Sequence, residues 1–255
     1  MVVVNATREI GEATPEALWL PWLAELAPPT PARDADFATP RGDGRLVVVA
    51  PHPDDEVLAC GGLLARRAAG ATAIVVIGVT DGDASHPHSR RWSRRALAEA
   101  RRRERLAGLA SLGLGAAAVL TLGVPDGGVT QHHDAVTTAI AAALRPDDVV
   151  IGTWRLDGHP DHDASGAAAA RACAAVGCRF IEAPVWMWHW AAPGDARVPW
   201  QRLVRLPLSA DEVGAKHAAI AAHATQLEAR GGADGPVLDA AILARAARAS
   251  EYFFV

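Results

Sequence analysis

Short hydrophobic runs alternate with amphipathic segments of helical length between residues 45 and 190. The runs are rich in valine and isoleucine, as is typical of strands buried on both faces of a sheet. The predicted strands are Arg45–Ala50, Ala73–Thr80, Ala117–Leu122, Asp148–Trp154 and Arg179–Trp190. The predicted helices between them are Gly61–Ala69, Ser93–Leu112, His133–Leu144 and Asp163–Val176. This alternation favours the α/β class, as a Rossmann-like three-layer sandwich with a mostly parallel sheet.

The first 44 residues do not follow this alternation. Thr14 and Pro15 are typical of a helix start, with Thr14 as the N-cap and Pro15 in the first helical position. A loop rich in proline and aspartate follows over residues 27–43. We therefore predict an N-terminal helix and connector over residues 1–44 and an α/β domain over residues 45–255.

Composition narrows the class of protein. Half of the 255 residues are hydrophobic, which is enough for a substantial core. The net charge of −4 gives no reason to expect nucleic acid or an anionic membrane as a partner. No hydrophobic run approaches the about 20 residues that span a bilayer. The three cysteines, without CxxC spacing, favour a reducing, cytoplasmic compartment over a disulfide framework.

Acidic and histidine side chains follow the predicted strands at the points where these strands end. His52–Glu56 come after the first strand, and Asp157–His162 come after the fourth. Asp81 and Asp83 follow the second strand, and Asp126 follows the third. Because ligands of parallel sheets bind beyond the carboxyl ends of the strands, we predict the active site at this edge.

The two larger clusters contain side chains that bind divalent metal ions. His52 and Asp55 are three residues apart, so one turn can bring both onto one ion. The third ligand is expected from a neighbouring strand end, where His159 and His162 both qualify. Two histidines with one carboxylate suit a catalytic zinc ion, which keeps a position for water, and also suit Fe²⁺. Asp54 would then point toward the bound water, as a general base requires.

A structural interpretation competes with the metal site. A His-Pro dipeptide is common in loops, and Asp54 or Asp55 can simply cap the helix that begins near Glu56. Two such clusters, each with histidine and aspartate after a predicted strand, favour the metal site over this alternative.

The two clusters resemble the motifs of the PIG-L/LmbE-like family of zinc-dependent N-acetylglucosaminyl deacetylases. Pro51–Glu56 is similar to the family's (A/P)HPDDE motif, and His159–His162 is similar to its HPDH motif. The resemblance runs from about Arg45 to Val255, whereas the segment before it has no counterpart. Weaker agreements are Thr80-Asp81-Gly82, the helix pattern Arg101/Glu104/Leu112-Gly113, Asp126-Gly127 and Glu251-Tyr252-Phe253.

The resemblance implies a role for individual residues. His52, Asp55 and His162 match the family's zinc ligands. Asp54 matches the general base. His159 matches the histidine that stabilises the developing oxyanion or protonates the leaving amine.

Three further residues have roles outside the ligand set. Asp161 would orient His159 or a metal ligand. Arg101 and Asp126 match positions that hold sugar hydroxyls or an attached group in some members of the family. The alternative for Arg101 is a solvated helix face within the run Arg101–Arg103, and the alternative for Asp126 is a plain turn.

Three tryptophans alternate within the last predicted strand. Trp186, Trp188 and Trp190 would share one face of that strand, near the substrate entrance. Trp190, nearest the carboxyl end, is the best candidate for a substrate contact. Packing of this face against a helix or a second subunit is the alternative.

The implied activity is removal of an N-acetyl or other N-acyl group from a glucosamine-type sugar or sugar conjugate. The expected cofactor is Zn²⁺, with Fe²⁺ or another divalent metal in its place, and the expected partner is a small acylated amino sugar. The oligomeric state is left open. An amidase on another acylated amine and a non-catalytic sugar-binding relative are alternatives. A nucleotide-binding module is disfavoured, because no G-x-G-x-x-G follows the first strand.

Overall fold

The computed structural model describes residues 13–26, 36–231 and 234–255. Seven strands of this part form one sheet in the order β3-β2-β1-β4-β5-β7-β6. Their bounds are β1 Leu46–Ala50, β2 Ile74–Thr80, β3 Ala118–Val124, β4 Val149–Thr153, β5 Arg179–Ala183, β6 Leu203–Pro207 and β7 Ser250–Phe254. Strands β1 to β5 are parallel, and β7 runs antiparallel to both β5 and β6. The predicted, mostly parallel sheet is confirmed.

Helices cover both faces of the sheet. Their bounds are α1 Glu16–Glu25, α2 Asp55–Ala68, α3 Arg94–Ser111, α4 His133–Ala143, α5 Pro160–Val176, α6 Met187–Trp190, α7 Ala210–Ala221, α8 Ala224–Leu227 and α9 Ala240–Ala246. The side chains of β1 alternate between the two layers. Leu46 and Val48 pack with α2, α3 and α7, whereas Val47 and Val49 pack with α4 and α5. None of the described helices combines the length and apolar character needed to cross a membrane.

The strand order reverses between β1 and β4. From β1 the chain continues outward to β2 and β3, and it then returns to place β4 on the other side of β1. Loops leave such a point in opposite directions and open a crevice, which is where ligands of open α/β sheets bind. His52–Asp55 follow β1 and His159–His162 follow β4, so the two motifs flank this crevice.

Helix α2 begins at Asp55, well before the start at Gly61 that the sequence predicted. The acidic residues of the first motif form its first turn, where carboxylates interact favourably with the helix dipole. The helix kinks at Cys60, whose φ of −150° is not helical. The N–H groups of Gly62 and Leu63 beyond the kink donate to the Glu251 carboxylate at 2.8 and 2.9 Å. The predicted segment Gly61–Ala69 therefore corresponds to the second half of this helix.

Helix α1 begins one position later than predicted. Pro15 is its N-cap residue and supplies no side-chain hydrogen bond, so the predicted cap by Thr14 is wrong. The Thr14 hydroxyl instead donates to the carbonyl oxygen of Ala191 at 2.7 Å. This bond ties the start of the helix to the chain after α6.

Aromatic packing attaches α1 to the rest of the structure. Trp19 is fully buried, and its ring centroid lies 5.0 Å from that of Trp188 and 6.0 Å from that of Trp200. Much of the predicted connector, residues 27–35, lies outside the described residues, as do residues 1–12. The division of the chain at residue 44 stays a prediction.

The fifth predicted strand is shorter than the alternating pattern indicated. Strand β5 ends at Ala183, and Pro184 follows, which has no N–H group to continue the ladder. The N–H groups of residues 185–187 donate to the carboxylate of Asp157, each at 2.9 Å, and the chain then enters α6. The prediction that three tryptophans share one face of a strand is therefore wrong.

Glu251 generates a testable prediction about stability. Its side chain is buried, with 3% of the residue exposed. The carboxylate accepts a hydrogen bond from the Lys216 ammonium at 2.7 Å and two more from the N–H groups after the kink in α2. We expect Glu251→Ala to lower the free energy of unfolding by about 3 kcal/mol, because it leaves a buried ammonium without a counter-charge. Urea denaturation measures the change. Glu251→Gln keeps the shape of the side chain and should lower the free energy of unfolding by less.

Glu99 offers the matched control for this measurement. It lies on the exposed side of α3 and pairs with the largely exposed Arg95 one helical turn away. Glu99→Ala should change the free energy of unfolding by less than about 0.5 kcal/mol. Equal stability of the Glu251→Ala and Glu99→Ala proteins would contradict a structural role for the buried pair.

Candidate metal centre and active site

The two sequence motifs meet in one cavity at the carboxyl ends of β1 and β4. His52, Asp55 and His162 each offer one ligand atom there, and these atoms lie within 4.8 Å of one another. Nδ1 of His52 lies 3.1 Å from Oδ2 of Asp55, and Nε2 of His162 lies 3.2 Å from the same oxygen. The fold therefore brings together the three side chains that the sequence predicted as ligands.

The state of His162 shows that this group fits a cation. Its Nε2 is buried and has no hydrogen-bond partner among the described residues. Its Nδ1 lies 2.8 Å from Asp157 Oδ2, which favours the tautomer with the proton on Nδ1. In the neutral ring Nε2 presents a lone pair toward the Asp55 carboxylate, whereas without an ion Asp55 and Asp157 raise the pKa of this imidazole to about 9 although burial opposes the shift. Two electron-pair donors that face each other in a buried site suit a bound cation, and two histidines with a carboxylate suit zinc.

Carboxylates also contact the second ring nitrogen of each of the two candidate histidine ligands. Asp157 is fully buried and accepts the Nδ1–H of His162. Asp126 Oδ1 and Asp161 Oδ2 lie 3.3 and 3.4 Å from Nε2 of His52. Such carboxylate–histidine pairs fix the tautomer and ring orientation of metal ligands. No role was assigned to Asp157 from the sequence, although it lies within the second motif.

His52, Asp126 and Asp161 form a second group with metal-binding spacing. Asp161 already accepts two backbone N–H groups, at 2.7 and 3.2 Å, and Asp126 accepts one at 2.8 Å. Although burial opposes their charge, His52 and these N–H groups hold the pKa of both carboxyls below the usual value. This geometry favours orientation of His52 as the role of Asp161, one of the two roles predicted for it. Asp126 lines the cavity, and its predicted substrate contact stays a prediction.

Asp54 occupies an unusual position beside the candidate ligands. Its φ of 147° is rare for a residue with a side chain, and such strain persists only where the surroundings enforce it. The residue is 4% exposed and lines the cavity. Burial raises the pKa of its carboxyl to about 6, although the charge of Arg101 opposes the shift. A buried carboxyl whose pKa lies near neutrality is suited to general-base work.

Arg101 holds Asp54 in place. It is 2% exposed, so the alternative of a solvated helix face is wrong for this residue. Its guanidinium donates to the carbonyl oxygens of Gly82 and Pro53 at 2.9 and 3.0 Å and to Asp54 Oδ2 at 3.2 Å. Gly82 has a φ of +64°, and a Cβ there would collide with this guanidinium. The predicted contact of Arg101 with substrate stays a prediction.

His159 lies on the other side of the cavity, at the start of α5. Its Nδ1 accepts the backbone N–H of Asp161 at 3.2 Å, which leaves the ring proton on Nε2. Burial lowers the pKa of this imidazole to about 3. His159 is therefore a neutral donor and not an imidazolium. The indole of Trp186 stacks on it, with ring centroids 5.9 Å apart.

Trp190 lies against a different surface. Its Nε1 donates to the carbonyl oxygen of Asp157 at 2.6 Å, and the Arg197 guanidinium lies 4.6 Å from its ring centroid. It lines a second cavity beside Trp154 and does not line the one that contains His159. The predicted substrate contact at Trp190 stays a prediction. The sequence favoured Trp190 over Trp186 because Trp190 lies nearest the carboxyl end of the predicted strand.

The cavity is large enough for a sugar with a substituent. Its volume is about 600 Å³, within the usual range for small-molecule sites. The candidate metal ligands form part of its lining. The C-terminal part of the chain supplies another large part, including Leu238, Arg245 and Tyr252.

Two histidines and an aspartate with metal-binding spacing lie at the strand-order reversal of this mostly parallel sheet. Residues 47–173 match the model of the PIG-L family, described as GlcNAc-PI de-N-acetylase. This segment contains both motifs and strands β1 to β4 almost entirely. The chain carries a PIG-L family domain, as the sequence resemblance implied.

Three known proteins are similar to this chain. The 2'-N-acetylparomamine deacetylase of Streptomyces fradiae is 34% identical over 136 residues, which are 47% of this chain and 48% of that protein. The chain thus spans about half the length of this curated relative. The crystal structure of a conserved protein from Thermus thermophilus has a TM-score of 0.59 and 26% identity, covering 82% of this chain and 93% of that one.

The third similar protein is N,N'-diacetylchitobiose deacetylase from Pyrococcus horikoshii. Its TM-score is 0.54 at 18% identity, covering 71% of this chain and 69% of that one. At this identity the likeness concerns the fold alone.

Asp157 generates a prediction about metal affinity. Because its carboxylate orients His162, we expect Asp157→Ala to weaken divalent metal binding about 10- to 100-fold. Titration of the protein with zinc against a competing chelator measures this. Asp157→Asn, which keeps an acceptor for the N–H groups before α6, separates loss of orientation from loss of folding.

Asp163 is the control for this experiment. Its carboxylate accepts the N–H of Gly158 at 2.9 Å and forms no ion pair with a histidine in the described part of the chain. Asp163→Ala should bind metal within about twofold of the parent protein, since no orienting contact is lost. Equal metal affinity of the Asp157 and Asp163 variants would show that Asp157 does not orient a ligand.

Proposed function

We propose that this protein is a metal-dependent amide hydrolase that removes an N-acetyl or other N-acyl group from a glucosamine-type sugar or its conjugate. The observation that carries this proposal is the strained, buried Asp54 beside the group His52, Asp55 and His162 in one cavity. The similarity to 2'-N-acetylparomamine deacetylase supports the reaction and the substrate class. The PIG-L family match supports the same assignment.

His52, Asp55 and His162 would hold the metal ion. The donor set suits Zn²⁺, and Fe²⁺ or another divalent ion would be accepted by the same atoms. When bound there, the ion lowers the pKa of water and polarises the amide carbonyl group. Asp157 and Asp161 keep the two histidines in the tautomers that this requires.

Asp54 accepts the proton of the attacking water. Its carboxyl is excluded from solvent and held by Arg101, so it keeps one position relative to Asp55. After the water oxygen bonds to the carbonyl carbon, the proton that this carboxyl group holds can pass to the leaving nitrogen. The amine and the free carboxylic acid are the products. The water supplies the oxygen of the acid and the proton of the amine.

His159 stabilises the charge that develops on the carbonyl oxygen. Its Nε2–H is a neutral donor, and a fixed donor in a water-poor site stabilises an oxyanion strongly. Trp186 lies against this ring and offers an aromatic face to a sugar. No acyl-enzyme is required, and burial raises the pKa of the Cys60 thiol well above its usual value, which makes it a poor nucleophile.

The same site would serve an amidase acting on another sugar-linked or acylated amine. A non-catalytic sugar-binding protein would gain nothing from a strained Asp54, and this observation favours the enzyme. A small acylated amino sugar is the proposed partner, without a role for nucleic acid. The cytoplasmic location stays a prediction from cysteine usage.

Two variants test the proposed reaction. Acetate release is measured from N-acetylglucosamine, its methyl glycosides and N,N'-diacetylchitobiose, with and without chelator. His162→Ala should lose metal and activity together. Asp54→Asn should keep the metal but lose about 10²- to 10⁴-fold in turnover, which is the usual contribution of a general base. Elemental analysis of both proteins accompanies the kinetics.

Two results would overturn this assignment. Normal turnover of the Asp54→Asn protein would exclude this residue as the base. Acetate release that continues in the metal-free protein would exclude the metal as a participant.

His159 carries a separate prediction. We expect His159→Ala to keep near-stoichiometric metal and to lower kcat about 10²- to 10³-fold, which is the usual cost of removing one oxyanion donor. His159→Gln retains an N–H donor and should recover part of the rate. Complete loss of metal in His159→Ala would instead make this residue a ligand.

A further inference from the structure

Arg245 lines the same cavity as the candidate metal ligands. It belongs to the last turn of α9, and only 9% of its surface is exposed. Its Nε is buried without a hydrogen-bond partner, and no carboxylate of the described residues lies within ion-pair distance of it. Its two other contacts are long and neutral, at 3.3 Å to His189 Nδ1 and 3.4 Å to the carbonyl oxygen of Thr14. A buried guanidinium without a counter-charge is costly for a fold to keep.

Neighbouring charges do not neutralise Arg245. Glu16 binds Arg248 through both oxygens at 2.7 Å, and that guanidinium also lies 4.3 Å from the Trp188 ring centroid. Asp239 caps α9 through a backbone N–H at 2.9 Å. Burial, and then the charge of Arg248, lower the pKa of Arg245 to about 10, which is the direction expected of an uncompensated cation.

A continuous wall of side chains connects Arg245 with the candidate active site. The ring of His159 stacks on Trp186 at 5.9 Å, and the Trp186 ring lies 5.5 Å from that of His189. His189 in turn accepts a hydrogen bond from Arg245. All four side chains line the same cavity. A molecule whose amide lies at His159 can therefore extend along this wall to the guanidinium.

We propose that Arg245 binds an anionic group of the substrate, a phosphate or a carboxylate, at the end of the molecule away from the amide. The inference rests on the proposed function, because it assumes that the acylated amine of the substrate lies beside the candidate metal ligands. A guanidinium matches phosphate and carboxylate oxygens with paired N–H donors. The buried charge is then compensated only when substrate is bound.

Charged and neutral probes of the same reaction test this proposal. The probes are methyl N-acetylglucosaminide, N-acetylglucosamine 1-phosphate and UDP-N-acetylglucosamine, whose diphosphate reaches further from the amide. Each is assayed with the metal-loaded parent protein, Arg245→Met and Arg245→Lys. Arg103→Met is the matched control, because it removes an exposed arginine of α3.

We expect the parent protein to prefer at least one anionic probe over the neutral one. Arg245→Met should lower kcat/KM for that probe about 10- to 100-fold, chiefly through KM, and change the neutral probe less than about twofold. Arg245→Lys should retain part of the preference, and Arg103→Met all of it. Equal losses on charged and neutral probes would overturn the proposal and make Arg245 a purely structural residue.

Equilibrium binding provides a readout that does not need turnover. Glucosamine 1-phosphate and inorganic phosphate are titrated calorimetrically into the parent, Arg245→Met and Arg245→Lys proteins. Arg245-dependent binding of the sugar phosphate, without hydrolysis of any probe, would support the anion site and contradict the proposed reaction. Arg245-dependent binding of inorganic phosphate alone would overturn the assignment to substrate. If Arg245→Met does not fold, Arg245→Lys decides: an unchanged preference together with unchanged binding would contradict the proposal.

Discussion

Buried carboxylates at the reversal point between β1 and β4 must each find a positive or hydrogen-bonding partner, and this constraint organises the rest of the structure. Asp157 is fully buried and is satisfied by four donors: the Nδ1–H of His162 and three backbone N–H groups. Asp54 is held by Arg101 and Asp161 by two loop N–H groups. Leaving any of these groups unpaired would cost several kcal/mol, so the loops that supply the donors are fixed along with the acids.

The same constraint applies next to the site, where buried ion pairs connect the helices on one face of the sheet. Glu56 pairs with Arg105 although both are almost fully buried, and β2 accommodates the guanidinium because Gly78 has no side chain. Glu251 pairs with Lys216 and completes the kinked helix α2. These pairs connect α2 to α3, α7 and β7. The position of the first motif thus depends on residues far from it in the sequence, from α3, α7 and β7.

The main features of the fold and the metal group were predictable because they depend on short-range patterns. The runs around β1 and β4 gave parallel strands, and their pairing places His52 and His162 at one edge. Features that depend on distant partners were not predictable. The turn into α6 forms because residues 185–187 meet Asp157, and β7 inserts between β5 and β6 from the end of the chain. Nothing in the local sequence separates the buried Arg101 and Arg245 from the exposed arginines around them.

The cavity is lined by charged groups of both signs, and this bears on substrate selection. Carboxylates of the two motifs gather around the candidate metal ligands, where a cation is favoured, whereas Arg245 lines the cavity next to His189. A ligand that places its amide at the carboxylates of the two motifs and an anion at Arg245 would satisfy both groups, whereas the reversed orientation would satisfy neither. Because a buried polar group left unpaired penalises ligands that lack its partner, the distant arginine can discriminate among acylated sugars that look identical at the amide. Selectivity would then arise from α9, which supplies no member of the hydrolytic group.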